Sequence, residues 1–397
     1  MSGKVLSMLA AGAVTATAAL AGAPVASAES AIASACTDTP VTSGAVFNQP
    51  VGGDPAALVR ELCGLVRQAP AASRIQLAHF VMSGAAGTGF ADELISAHRR
   101  GVDVQVILDG DTRGAGVAGR LSAELGTDTS AGSWVHVCTG PPSGGTAACI
   151  GDKGQHNKFY LFSRTGDVSD VVVQSSANLT DLNSSTYWNN LVVLPGNKRL
   201  FAAYSGYFAD LAAERKNLDY YRVTTTGGPG GSVRAHFFPR AGTDAGTDPI
   251  VDYLGKVSCR GGTTIRVGMS EWDTYRIAIP EKLRSLAAQG CTVRIVYGIM
   301  DEEVKSLLLA EPRIELRTLG DGGALPGRVH SKYLLVEGSF DGDRDARWVF
   351  TGSHNYNETS LRRNDETLLR LNDRSVYRQY VDNFERMRAV APLATAS

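Results

Sequence analysis

The chain carries almost no net charge: 39 Lys and Arg stand against 40 Asp and Glu, leaving −1 over 397 residues. That balance argues against a protein that grips nucleic acid by sequence-blind electrostatics, although it leaves room for a local basic patch. Adjacent arginines occur only at Arg99-Arg100 and Arg362-Arg363, and each pair reads as a solvated helix or loop face. Metal-ligand spacing is missing too, with no Cys-x-x-Cys and no paired His–Cys step. Beyond the N-terminal region no run is apolar enough to cross a bilayer. What remains is a soluble globular composition, 43% apolar and 20% charged, long enough for one large two-lobed domain or two ordinary ones.

The first residues read as an export signal. Lys4 supplies a positive start, residues 5–25 are rich in Ala, Leu, Val and Gly, and Ala26-Ser27-Ala28 offers a small-residue cleavage site. We therefore expect residues 1–28 to be a signal peptide, residues 29–44 an N-terminal segment, and the protein to be secreted. Six cysteines fit that compartment: Cys36, Cys63, Cys138, Cys149, Cys259 and Cys291. Fifteen pairings are possible for six cysteines. Joining sequence neighbours gives Cys36–Cys63, Cys138–Cys149 and Cys259–Cys291.

The strongest signal is an internal repeat. Gly154-Gln-His156-Asn-Lys158 returns as Gly327-Arg-Val-His330-Ser-Lys332, each followed by an apolar run. A small-polar step then follows each copy, Ser175-Ser176-Ala177-Asn178 and Gly352-Ser353-His354-Asn355. Upstream, Ile75-Gln-Leu-Ala-His79 matches Ile265-Arg-Val-Gly-Met269 as buried strands, and helical segments follow that end at Gly101 and Gly290. A further strand comes next in each copy, at residues 102–108 and 292–297. Near-continuous apolar strands alternating with helices predict an α/β fold of two homologous halves. The halves are expected at residues 45–223 and 233–390, joined by a flexible linker at 224–232 of Thr-Thr-Thr-Gly-Gly-Pro-Gly-Gly-Ser composition. The Gly/Pro/Ser-rich stretch 138–154 accounts for the greater length of the first half between matching landmarks.

On a strand, residues two apart share a face. His156 and Lys158 thus project together, as do His330 and Lys332, while Asn157 and Ser331 point away. A Lys held on a buried strand requires an anion or is left unpaired at a cost. Two such strands place two imidazoles, two ammoniums and two Asn side chains around one pocket, which suits phosphate. One neutral His can attack phosphorus. The other, as imidazolium, can protonate the leaving oxygen and then deprotonate water or an alcohol. Lys158, Lys332, Asn178 and Asn355 would hold non-bridging oxygens, with Ser176 and Ser353 as hydroxyl donors. Lys ligates no metal and no carboxylate cluster accompanies the histidines, so no cofactor is expected. His79, His98, His136 and His236 lack such company and read as structural. His354 is placed either in the pocket wall or outside it. Trp188 and Trp272 suit a cleft or a core equally.

These residues resemble the phospholipase D superfamily, whose signature is His-x-Lys-x4-Asp followed by Gly-Ser-x-Asn, usually twice per chain. The resemblance covers roughly residues 45–390. It implies a pseudo-symmetric α/β/α/β/α sandwich with one active site between the halves. The acidic position is Glu337 in the second motif and Ser163 in the first, a departure. The family also places a carboxylate behind each His to accept its Nδ1–H. Glu366 suits that role for His330, and Asn190 occupies the corresponding place for His156. By family habit His156 is the nucleophile and His330 the acid. A secreted, two-motif chain of this kind resembles bacterial phospholipases D. The resemblance implies a phospholipid substrate at a membrane or micelle surface, with nucleic acid the less favoured partner and a monomer sufficient. A nuclease, or a decayed lipid- or phosphate-binding protein signalled by Ser163 and Asn190, are the alternatives.

Overall fold

The computed structural model describes residues 36, 40–110, 115–140, 145–228, 231–320 and 323–395. The expected signal peptide therefore lies outside the described residues. In the first half the elements are β1 (Gly44–Phe47), α1 (Ala57–Arg67), β2 (Arg74–His79), α2 (Gly84–Arg99), β3 (Asp103–Leu108), α3 (Ala115–Leu125), β4 (Trp134–Val137), β5 (Lys158–Thr165), β6 (Val168–Ser175), β7 (Tyr187–Trp188), β8 (Asn190–Leu194) and α4 (Lys198–Ala212). The second half holds β9 (Arg222–Gly228), β10 (Gly231–Phe237), α5 (Pro249–Gly255), β11 (Val257–Ser258), β12 (Thr264–Trp272), α6 (Ala278–Ala288), β13 (Thr292–Met300), α7 (Glu302–Leu309), β14 (Ile314–Thr318), β15 (Arg328–Val329), β16 (Lys332–Phe340), β17 (Asp343–Gly352), α8 (Glu358–Arg362), β18 (Thr367–Leu371) and α9 (Arg374–Val390).

Each half builds one mixed sheet, in the orders β1-β8-β6-β5-β2-β3-β4 and β9-β10-β18-β17-β16-β12-β13-β14. The orders superimpose strand by strand. In both, a parallel trio (β2, β3, β4 or β12, β13, β14) meets an antiparallel run that starts with the strand carrying the motif lysine. The duplicated α/β architecture inferred from the repeat is therefore the observed one. Helices α4 and α9 lie between the sheets in a shared core that joins Phe159, Tyr204 and Tyr207 of the first half to Phe237, Tyr333 and Tyr380 of the second. The outer helices cover the far faces in two separate cores. The order of layers is thus α/β/α/β/α.

One expectation fails in its physical detail. The Thr/Gly-rich stretch taken as a flexible linker belongs to a hairpin: β9 pairs antiparallel with β10, from Arg222 opposite Phe237 to Gly228 opposite Gly231. The threonines favour strand, and Gly227, Gly228 and Gly231 continue the pairing although their composition resembles a linker. This hairpin extends the second sheet by one strand that has no counterpart in the first.

All three disulfides join sequence neighbours as expected: Cys36–Cys63, Cys138–Cys149 and Cys259–Cys291. They are consistent with an extracytoplasmic protein. Among the described residues, no helix is long and apolar enough to cross a membrane.

Candidate active site

The two motif strands approach each other at the junction of the halves, and short backbone bridges fix their entry. His330 N–H donates to the Trp188 carbonyl at 2.9 Å, just after β15 has paired with β7. The pseudo-symmetric contact is His156 N–H to the Asp365 carbonyl at 3.0 Å. In each case the residue after the accepting carbonyl meets the imidazole. Glu366 Oε1 lies 2.8 Å from His156 Nδ1, and Asn189 Oδ1 lies 2.9 Å from His330 Nδ1.

This corrects the pairing expected from sequence. Glu366 serves His156, in the opposite half, rather than His330. Asn189, not Asn190, serves His330. Asn190 starts β8 with its side chain turned away, where its amide donates to Thr351 Oγ1 at 2.8 Å and Tyr380 Oη at 2.9 Å. Alternation along a strand separates the two neighbours, and sequence offset alone does not say which half a side chain faces.

The partner of His156 settles its tautomer. Glu366 is fully buried, and although burial works to raise its carboxyl, the His156 ring and Lys158 hold it below the usual range, with the Ser360 hydroxyl donating to Oε1 at 2.8 Å. It can only accept, so His156 carries its proton on Nδ1. The Asn189 amide donates through Nδ2 to Asn183 Oδ1 at 3.1 Å, while its Oδ1 accepts from Ser176 Oγ at 3.1 Å. That leaves Oδ1 toward His330 Nδ1, which also lies 3.1 Å from Lys332 Nζ, so this ring nitrogen meets an acceptor and an amine together. Neutral His156 is thus left with its lone pair on Nε2.

Burial lowers both imidazoles, but unequally. His330 is pushed well below its ordinary value by burial and by Lys332, Lys158 and Arg328. His156 is also lowered by burial, but the Glu366 carboxylate opposes the shift. The lysines sit behind the rings. Lys158 Nζ donates to the His156 carbonyl at 2.5 Å, and Lys332 Nζ to the His330 carbonyl at 2.6 Å. Burial pulls Lys158 down to about 7, and Lys332 well below the ordinary ammonium range, with Lys158 adding to the effect. The site is short of negative charge, and an anion between the two strands would restore both ammoniums.

In front lies a cleft of about 620 Å³ whose wall includes His156, His330, Asn178 and Asn355. Thus the His and Asn pairs line one cleft, and each Lys is bonded to the backbone of its motif His. Ser176 and Ser353 do not face the cleft. Each accepts a backbone N–H across its strand pair, from Asn190 at 3.0 Å and from Thr367 at 3.1 Å. They position the residues that hold the rings. The close packing of these strands explains Gly352: a Cβ there would stand 2.0 Å from the Thr367 carbonyl oxygen.

Glu337 is not a site residue either. It lies five residues beyond Lys332 on β16, on the opposite face, bound to Arg266 at 3.3 Å and Tyr377 Oη at 3.2 Å. Ser163, its counterpart, accepts the Arg74 N–H at 2.8 Å. The acidic difference between the motifs therefore does not touch the cleft. His354 packs on Phe238 with ring centroids 4.4 Å apart, and Trp188 and Trp272 are core residues.

Sequence reasoning missed several cleft residues. Arg328 and Glu271 form an ion pair at 2.9 Å in its wall, and Tyr187 lies against His330 with centroids 5.5 Å apart. Phe80 packs on His156 at 4.8 Å and under the Lys158 ammonium at 4.9 Å. Asp365 was passed over as well. Its buried carboxylate accepts the backbone N–H groups of Cys149 at 2.6 Å and Gly151 at 2.7 Å, tying the disulfide-closed loop to the second half. Burial still raises that carboxyl to about 7. Only the adjacency of Asp365 to Glu366 and of Asn189 to Asn190 hinted at these roles.

A double imidazole site between duplicated α/β halves defines a class. The family model described as "Cardiolipin synthase, PLD-like domain" matches residues 63–212 and 258–388. The chain belongs to the phospholipase D superfamily. A phosphatidylserine synthase from Haemophilus influenzae Rd KW20 shares the fold at 14% identity, with 92% of each chain covered and a TM-score of 0.61. A polyphosphate kinase from Porphyromonas gingivalis is also 14% identical over 87% of this chain, with a TM-score of 0.54, and this chain spans half of its length. No curated protein sequence matches the chain.

Proposed function

We propose that the protein is a secreted phospholipase D that cleaves phospholipid headgroups, with transfer of the phosphatidyl group to alcohols as a second outcome. The observation that carries this reading is the pair of buried lysines, each bonded to the backbone of its motif histidine, behind two histidines that line one cleft.

His156 is the nucleophile. Its Nε2 attacks phosphorus, and the ring, now bonded to phosphorus, carries positive charge that the Glu366 carboxylate stabilises. The bond from phosphorus to the headgroup oxygen breaks, and His330 as imidazolium donates its Nε2 proton to that oxygen. The phosphodiester's own negative charge favours the protonated ring before this step. Neutral His330 then takes a proton from water, the hydroxide attacks phosphorus, and His156 departs with phosphatidic acid as product. An alcohol in place of water gives the transfer product. Lys158 and Lys332 stabilise the charge on the non-bridging oxygens. Secretion is supported by the three disulfides and by the export-signal composition of the first residues.

The test uses the protein without residues 1–28 on phosphatidylcholine micelles in EDTA with a little ethanol, reading products by mass spectrometry. Phosphatidic acid together with phosphatidylethanol is expected. No lipid product from folded protein would overturn the proposal and turn attention to nucleic acid.

A further inference from the structure

Four strands end the two large sheets: β1 and β4 in the first, β14 and β9 in the second. An open strand edge is a row of unpaired backbone groups that invites another chain, so folded proteins manage it. Three of the four edges are engaged. Gln379 Oε1 accepts the Ala45 N–H of β1 at 2.8 Å, and the Gly126 carbonyl accepts the Val135 N–H of β4 at 2.9 Å. The C-terminal segment straps β14: Thr318 N–H donates to the Pro392 carbonyl at 3.0 Å, and Ala394 N–H to the Leu316 carbonyl at 2.9 Å. No described residue does the same for β9.

Which groups of β9 are open follows from the ladder beside it. Residues of an antiparallel strand turn their N–H and C=O alternately to one neighbour and to the other. In β10 the set facing β18 is fixed by Phe238 N–H to the Glu366 carbonyl and Asn372 N–H to the Ser232 carbonyl, each 3.0 Å. Val233, Ala235 and Phe237 therefore turn to β9, where they meet Thr226, Thr224 and Arg222. Val223, Thr225 and Gly227 are left pointing outward, all three exposed and without a backbone hydrogen bond among the described residues. The strand lacks the usual guards: it holds no proline, lysine or bulge, and its one charge, Arg222, stands at its start.

We propose that this edge pairs with the same edge of a second copy of the chain, antiparallel about Thr225, so that one sheet runs through both copies. A two-fold contact needs a self-complementary surface, and β9 offers one. Thr225 faces its own counterpart, Val223 faces Gly227, and no like charges stand opposite each other. The Thr225 side chain is already fixed, since its Oγ1 accepts from Arg234 Nε at 2.9 Å. The catalytic cleft is complete within one chain, and none of its lining residues belongs to β9. The inference is therefore independent of which phosphodiester the protein cleaves.

The experiment is sedimentation of the protein without residues 1–28, from about 1 μM to 1 mM. The expected result is a weight-average mass that rises with concentration toward twice that of the chain. Thr225→Pro should hold it at the single-chain mass, because this N–H faces away from β10 and proline is tolerated at such a position. Thr225→Lys sets two ammoniums together on the two-fold axis. It should act alike and covers the case in which the proline variant does not fold. Thr225→Cys reads the register, since opposite residues of a hydrogen-bonded pair lie about 5.5 Å apart, within disulfide reach. Mild oxidation should cross-link it into a dimer, whereas Thr224→Cys, on the other face and off the axis, should stay a single chain. A single-chain mass for the native protein at every concentration overturns the proposal. So does a dimer that survives in folded Thr225→Pro and Thr225→Lys, because its interface then lies elsewhere.

Discussion

The carboxylate that holds His156 belongs to the other half of the molecule: Glu366 Oε1 meets His156 Nδ1 at 2.8 Å across the junction. The reciprocal contact, Asn189 to His330 at 2.9 Å, follows the same geometry with a neutral amide. Each half thus supplies an imidazole and the group that orients the other's. The partners of the two rings differ by a formal charge, which the proposed mechanism uses to stabilise the phosphorylated His156.

Glu366→Gln separates orientation from charge, since Asn189 shows that an amide can hold a ring here. The nucleophile loses the partner that stabilises its phosphorylated cation, so kcat should drop by roughly 10²–10⁴-fold. Steady-state kinetics on a phospholipid substrate checks this, with KM staying close to the native value. An unchanged kcat would remove the charge from the mechanism.

Asn189→Asp runs the opposite experiment. A carboxylate within 3 Å favours the protonated imidazole and raises its pKa. His330 would then stay protonated to higher pH, and the alkaline limb of the kcat/KM profile should move up by about one unit or more. A pH–rate profile measured beside the native protein decides the matter. A limb that stays in place would mean that His330 is not the acid.

The loop after Cys138 reaches Asp365, next to Glu366, so its closure bears on both stability and rate. The Cys138–Cys149 bridge spans 11 residues. Replacing both cysteines with Ser should lower stability by about 3 kcal/mol on the chain-entropy model. Urea denaturation followed alongside activity should show the loss, with activity falling before global unfolding as the Asp365 clamp loosens.

Arg276 and Asp248 form a fully buried pair at 2.8 Å, and Arg276 also donates to the Asn355 carbonyl at 2.7 Å. Asp248→Asn leaves that guanidinium without its counter-charge. A destabilisation of about 3–5 kcal/mol is expected in equilibrium unfolding.

Glu337 gives the contrasting case. Its ion pairs with Arg266 and Arg347 lie partly exposed on the far end of β16. Glu337→Gln should cost less than about 1 kcal/mol and leave kcat within about twofold. A large loss of activity in a stably folded variant would return this residue to the site.

The sequence by itself determined the duplication, the α/β class and the identity of the repeated His, Lys and Asn groups. Those follow from local rules: period-two alternation puts His156 with Lys158, and Gly-capped helices between apolar strands repeat in the same order. The tertiary structure alone decided which half each orienting group serves, that Ser176, Ser353 and Glu337 stand outside the cleft, and that a linker-like stretch is a hairpin. A strand's alternation fixes which residues share its face, but not which sheet that face meets. Glu366 and Asn189 reach their rings because the start of β18 lies against the first motif and the start of β8 against the second, a contact between segments some 140 to 210 residues apart.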